Sequence, residues 1–218
     1  MDAADLDPAE YARVLTDLAK VNWWTMATRP TLRFLDRAVG DRRSFTLLDV
    51  GFGDGDMLRA VARWAAKRGI EAHLIGVDLN PKSAEVARAA TPSTMNIRYV
   101  TGDYRDHLDN VDLIVSSLVA HHMSDAERID FLRTMEHSAG VGWFVNDIHL
   151  HWLPWLGFPI LARIMGWHRI VREDGTLSIA RGFRPPEWHA MIAEAGLDPS
   201  TVAVERHFPF RLCVARRH

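Results

Sequence analysis

Short apolar runs alternate with segments of helical period along most of this chain. A strand is predicted at Phe45–Val50, then a helix over Asp56–Arg68, with Leu58, Val61, Ala62 and Ala65 on one face and Gly69 as its stop. His73–Asp78 is a second apolar strand. Asn80-Pro81 caps and opens the next helix, over 81–90. Asn96–Thr101 and Val111–Ser116 read as the third and fourth strands. Ser124 and Glu127 then form a capping box before a helix with Ile129, Leu132 and Met135 on one face. Val141–Asn146 is the fifth strand, and Thr201–His207 with Phe210–Arg216 alternates like a hairpin bent at Pro209. Apolar strands separated by helices imply a mostly parallel sheet covered on both faces. Right-handed crossovers bring the strand ends to one edge, where Asp49, Asp78, Asp103, Ser116 and Asn146 gather. Packing alone gives no reason for polar residues to collect there.

Two segments stand outside this rhythm. Residues 8–20 place Tyr11, Val14, Leu15 and Leu18 at helical spacing, and a second pattern runs from Pro30 to Gly40. Between them lie Trp23 and Trp24: either one packs and the other covers a neighbouring element, or the helical cap presents an aromatic wall to a ligand. From 150 to 183 the alternation breaks, a length that indicates a functional insertion. The reading is therefore a helical cap over 1–43 and an α/β domain over 44–218, with 150–183 covering the site.

With 26 basic and 28 acidic residues the net charge is −2, and no Lys/Arg cluster marks a nucleic-acid footprint. Cys213 stands alone, which excludes an intramolecular disulfide and a cysteine-rich metal site. The acidic start Met1-Asp2-Ala3-Ala4-Asp5 has no apolar core of a secretory signal. His151–Trp167 is the most apolar stretch, but it is short for a span and broken by Pro154, Pro159 and Arg163. A cytoplasmic protein without stable membrane insertion is expected; a homodimer is compatible with these features.

The chemistry concentrates at Asp49-Val50-Gly51-Phe52-Gly53-Asp54-Gly55. A dinucleotide fingerprint would carry its third glycine one place later, and a P-loop would need Lys-Ser or Lys-Thr. The stretch resembles motif I of the class I S-adenosylmethionine (SAM)-dependent methyltransferases, acidic-x-G-x-G-x-G, through Asp49, Gly51, Gly53 and Gly55. That resemblance implies a Rossmann-like, seven-stranded sheet closed by an antiparallel hairpin. It also implies SAM as cofactor and S-adenosylhomocysteine (SAH) as product. Asp78, followed by Leu79, matches the family's ribose-binding acid, and Asp103, followed by Tyr104, the residue that accepts from the adenine amino group. Ser116 ends the fourth strand beside them. Asp49 is expected to bond amides of its own loop or face the methionine ammonium, ionised in either role. No metal is expected.

Methyl transfer to an oxygen that must lose a proton gains from a base, and histidine suits neutral pH. His121 and His122 follow the fourth strand and His149 follows the fifth, with Asp147 available to orient a histidine. A Leu118…His121-His122 run is widespread in the superfamily, so one of the pair can equally brace the SAM pocket. Ser116-Ser117-Leu118 replaces the Asp/Asn-Pro-Pro-aromatic signature of base-amine methyltransferases, which argues against DNA or RNA as acceptor. The segments around Asn146–His149, Arg172–Ser178 and Arg181–Pro185 resemble a bacterial subgroup similar to ubiquinone-type methyltransferases, associated with polyketide and phenolic products. Trp23, Trp24, Trp152, Trp155 and Trp167 in the cap segments suit a small hydrophobic or aromatic acceptor. O-methylation of a phenol is the first expectation. C- or N-methylation of a small aromatic, a dinucleotide oxidoreductase and a non-catalytic SAM-binding subunit are the alternatives.

Overall fold

The computed structural model describes residues 7–218. Its centre is one seven-stranded sheet in the order β3-β2-β1-β4-β5-β7-β6. The strands are β1 (Ser44–Val50), β2 (Glu71–Asp78), β3 (Ile97–Thr101), β4 (Leu113–Ser117), β5 (Gly142–Ile148), β6 (Val202–His207) and β7 (Arg211–Arg217). β7 runs antiparallel to both β5 and β6. The remaining pairs are parallel. Seven strands, their parallel core and the closing hairpin follow the expectation from sequence. β4 starts later than Val111 because Asp112 turns its carboxylate onto the Thr46 amide (2.7 Å).

The strands are apolar at consecutive positions because both faces are covered. Leu48, Ile114 and Trp143 pack under α5 (Asp125–Ser138) and α8 (Pro185–Glu194), against Phe131, Leu132, Trp188 and Ile192. Their neighbours Leu47, Leu113 and Phe144 face the other way, against α2 (Thr28–Val39), α3 (Asp56–Arg68) and α4 (Pro81–Ala90) through Leu35, Leu58, Val61 and Ala87. The capping box is formed: the Glu127 amide donates to Ser124 Oγ (3.3 Å), and the Ser124 amide to Glu127 Oε2 (2.7 Å). Trp143 is fully buried and its Nε1 donates to Glu136 Oε2 at 2.8 Å. Trp143→Ala is therefore expected to destabilise the fold by about 3–5 kcal/mol in urea unfolding; a loss below about 1 kcal/mol would contradict this packing.

A second layer sits over the strand ends. α1 (Pro8–Trp24), α6 (Trp152–Ile164) and α7 (Arg169–Ala180) share a small core of Val14, Ala162, Trp167 and Val171. α1 runs on through the double tryptophan, and α2 begins at Thr28, before Pro30. Neither tryptophan packs inside: Trp23 is 73% and Trp24 57% exposed, and the two rings meet edge to face. Only Trp24 reaches the cavity below. Among the described residues no helix is long and apolar enough to cross a membrane.

Candidate active site

Strand order reverses between β1 and β4, and a cavity of about 1090 Å3 opens there beyond the strand ends. The loops after β1, β2, β3 and β4 form its floor. The α1–α2 turn, α6, α7 and the β6–β7 turn close over it.

The glycine loop shows why three glycines are needed, and for different reasons. Gly51, Gly53 and Gly55 have φ of +75°, +57° and +78°, in the region that penalises a side chain. A Cβ on Gly51 would lie 2.4 Å from Val119 Cγ2, and one on Gly55 2.5 Å from the Tyr99 hydroxyl. Those two positions are closed by the protein itself. A Cβ on Gly53 would meet no atom within 4 Å, and Gly53 borders the cavity. Its amide donates to Asp78 Oδ2 (3.0 Å), while the Asn80 amide donates to Asp78 Oδ1 (2.8 Å). Asp78 thus ties the end of β2 to the glycine loop, and Asn80 caps α4 through the Lys82 amide.

The floor carries an excess of carboxylate. Asp49 is buried and its Oδ2 has no hydrogen-bond partner. Burial, with Asp56 and Asp78 nearby, pushes its pKa well above the usual carboxylate range. These surroundings disfavour the charged form of Asp49 in the ligand-free protein, against the expectation that it is ionised. Asp56 opens α3 and accepts from Asn22 Nδ2 at 3.1 Å. Burial and then Asp54 push it up to about 6, against the opposing effects of Asn22, the Met57 amide and Arg59. Burial also raises Asp78, against its three hydrogen bonds. Such a cluster is poised for a cation.

On the far side of the cavity, His121 Nδ1 lies 2.7 Å from Asp147 Oδ1, both side chains buried. Asp147 Oδ2 accepts from the His121 amide, and Oδ1 from the Ile148 amide. Burial would raise Asp147, but His121 and these amides outweigh it and hold its pKa below the ordinary value. An ionised Asp147 places the proton on His121 Nδ1 and leaves Nε2 as the basic nitrogen. Nε2 is buried without a partner, in a residue that lines the cavity. The His122 ring lies tilted against it with centroids 4.1 Å apart, and burial followed by the neighbouring His121 lowers its pKa to about 4. At neutral pH His122 is therefore an uncharged neighbour.

Leu79, Asp103 and Tyr104 border the cavity as expected. Asp103 accepts from the Arg105 amide at 2.9 Å and pairs with the Arg105 guanidinium, and Tyr104 rests edge-on against Phe131. Gly55, Ser116 and His149 are not brought to the wall. Gly55 faces Tyr99, and Ser116 Oγ donates to the Val50 carbonyl (3.1 Å), joining β4 to β1. His149 bridges to Phe183, its amide bonded to the Phe210 carbonyl (2.9 Å). Sequence reasoning missed Asn22, Thr25, Asp56 and Arg211, which do line it. Asp56 stood beside the glycine motif and carried that signal. Arg211 lies in an alternating hairpin, where nothing local marks it.

Residues 47–139 match the family model described as a methyltransferase domain. The solved structure of human N-acetylserotonin methyltransferase in complex with SAM is similar at 17% identity and TM-score 0.66, covering 100% of this chain and 60% of that one. A SAM-dependent methyltransferase from Aquifex aeolicus is similar at 16% identity and TM-score 0.63, covering 97% and 98%. Magnesium protoporphyrin IX methyltransferase from Synechocystis PCC 6803 with bound SAH is similar at 14% identity and TM-score 0.57, covering 94% and 85%. Residues 47–139 thus match a methyltransferase domain, and the fold is shared with solved SAM-dependent methyltransferases. No curated protein sequence matches it significantly. The methyltransferase sequence match covers β1 to α5, so the β5–β7 half of the site lies outside it. The chain spans 60% of the length of the human enzyme that it matches.

Proposed function

We propose that this methyltransferase domain is catalytically active and transfers a methyl group from SAM to the oxygen of a small apolar acceptor, a phenol first. The single observation that carries this reading is the buried His121–Asp147 pair, whose histidine lines the same cavity as the glycine loop. A non-catalytic SAM-binding subunit would have no use for a basic nitrogen held there.

The residues present fit the cofactor. Asp49 offers an unpartnered carboxylate oxygen, and Gly53 leaves its backbone open to the cavity. In this reading Asp49 and Asp56 take the positive charge of the methionine end, Asp78 the ribose hydroxyls and Asp103 the adenine amino group. Bound SAM supplies an electrophilic methyl group on a sulfonium. The chain's part is then to hold the acceptor in line, exclude water and remove a proton. His121 Nε2 takes the phenolic proton, and Asp147 stabilises the imidazolium that forms. Leu153, Phe158 and Leu161 of α6 provide apolar walls. Residues 7–43 read as a cap, residues 1–6 of the expected cap lying outside the described residues, and 150–183 as the cover of the acceptor site.

Calorimetric titration with SAM and, separately, NADH tests the cofactor, and SAH release with a panel of phenols tests the reaction. Binding of NADH alone, or of neither, would refute the proposal. A pH dependence follows from the acid cluster. A bound cation favours the ionised carboxylate, so Asp56 must lose its proton for SAM to bind below its free-state value of about 6. Through Asp56, affinity is expected to fall as pH drops through 6, by up to about tenfold per unit for that one group, and the upward shift of Asp49 acts in the same direction. Proton release below pH 6, read as a buffer-dependent binding enthalpy, should accompany it and should shrink in Asp56→Asn. An affinity constant from pH 5 to 7 would sink this expectation.

A further inference from the structure

We infer that Arg211 is a recognition site for an anionic oxygen of the methyl acceptor, a carboxylate or an enolate, distinct from the oxygen that is methylated. The inference rests on the methyltransferase reading and names the substrate class of that site.

Arg211 opens β7 and is 5% exposed, yet it borders the cavity beside Thr25, Met26 and Phe210. Its Nη2 donates to Thr25 Oγ1 at 2.9 Å. Nη1 is buried and has no partner. A guanidinium does not give up its proton, so this is a buried fixed charge, and such charges are ordinarily paired. The acids that act on it are engaged elsewhere. Asp147 is held by His121 and two backbone amides, and Asp56 accepts from Asn22. One donor of a planar fork built for bidentate recognition of carboxylate is left over.

Position in the sheet assigns that donor to the acceptor rather than the cofactor. The proposed ribose and adenine acids end β2 and β3, on one side of β1. Arg211 is paired with Ile148 of β5, on the other side, with β4 and β5 between β1 and β7. At the usual strand spacing that is about 14 Å across the sheet. His121 and Asp147 lie on this same side, after β4 and within β5. An acceptor with its reacting oxygen at His121 and an anionic oxygen at Arg211 would be gripped at two points.

Benzoate and benzamide, matched in shape and different in charge, probe this directly. Their affinities for SAH-saturated protein are read by calorimetry and tryptophan fluorescence. Benzoate is expected to bind at least about tenfold tighter than benzamide. Arg211→Gln should erase that preference and leave SAH affinity unchanged, while Arg211→Lys should keep part of it. Equal affinity for the two probes, binding of neither, or a preference that survives in Arg211→Gln overturns the inference. So does a loss of SAH affinity in Arg211→Gln with the preference intact, which would assign the guanidinium to the cofactor's carboxylate. If Arg211→Gln does not fold, side-chain 15N shifts decide in the wild-type protein: a benzoate-induced shift at Arg211 supports the site, and shifts at other arginines only refute it. Failure of SAH itself to bind would instead refute the methyltransferase reading.

Discussion

His121→Asn is expected to lower kcat on phenolic acceptors by about 10²–10⁴-fold while leaving SAM affinity within threefold of wild type. Asparagine is the informative choice because its Nδ2 can stand where His121 Nδ1 now bonds Asp147 at 2.7 Å. Alanine would strand a fully buried carboxylate, and breaking such a pair costs about 3–5 kcal/mol, so lost activity would be confounded with lost fold. With asparagine the pair's geometry survives and only the basic Nε2 is removed. Asp147→Asn should produce a comparable loss by a different route. Its amide no longer enforces the Nδ1 proton, so Nε2 ceases to be reliably basic. His149→Ala should change little, since His149 lies off the cavity wall. If SAH release by His121→Asn stays within threefold of wild type and keeps the wild-type pH profile, His121 is not the base.

Gly53→Val and Gly55→Val are expected to separate cofactor binding from folding. At Gly53 the strain is that of a β-branched residue at φ +57°, about 1–2 kcal/mol, with no clash inside the protein. The new side chain enters the cavity beside Asp78, where in the proposed reading the cofactor would pass close to the backbone. SAM affinity should fall by at least about 100-fold, while the thermal midpoint drops only a few degrees. At Gly55 the same change drives Cβ into the Tyr99 ring, whose neighbour in the core is Phe52. There stability should fall by several kcal/mol, and binding is lost with the fold. Calorimetry with SAM and thermal unfolding of both variants read the difference. Wild-type affinity in Gly53→Val would mean that the cofactor does not lie over this loop.

The order of helices and strands, the parallel core and the antiparallel hairpin were legible in the chain. Apolar period, caps and turn residues act over a few positions, and they largely determine each element by themselves. Asp49, Gly51, Gly53, Asp78 and Asp103 were legible as cofactor candidates for a related reason. A strand end or the turn after it projects to the same sheet edge whatever the rest of the fold does. Roles that depend on distance in space were not legible. His121, His122 and His149 were all candidate bases, and only the pairing of β4 with β5 sets Asp147 beside His121 and leaves His149 to Phe183. Gly55 belonged to the motif, yet it answers to Tyr99 from β3.

The double tryptophan and Arg211 mark the limit most clearly. Adjacent aromatics left open whether one packs or the pair walls a ligand; packing needs a partner surface, and α1 meets α7 through Val14 instead. Arg211 sits at an alternating position of the last strand and looks like an ordinary surface cation. Its burial comes from Thr25, 186 residues away, and from the cavity wall around it. The sequence by itself determined the elements, the sheet class and the cofactor loop, because those follow from local periodicity and backbone sterics. The tertiary structure alone decided which histidine meets a carboxylate, which acids lack a partner and which guanidinium is left with a free donor. Hydrogen bonding and desolvation are set by neighbours brought together from distant parts of the chain.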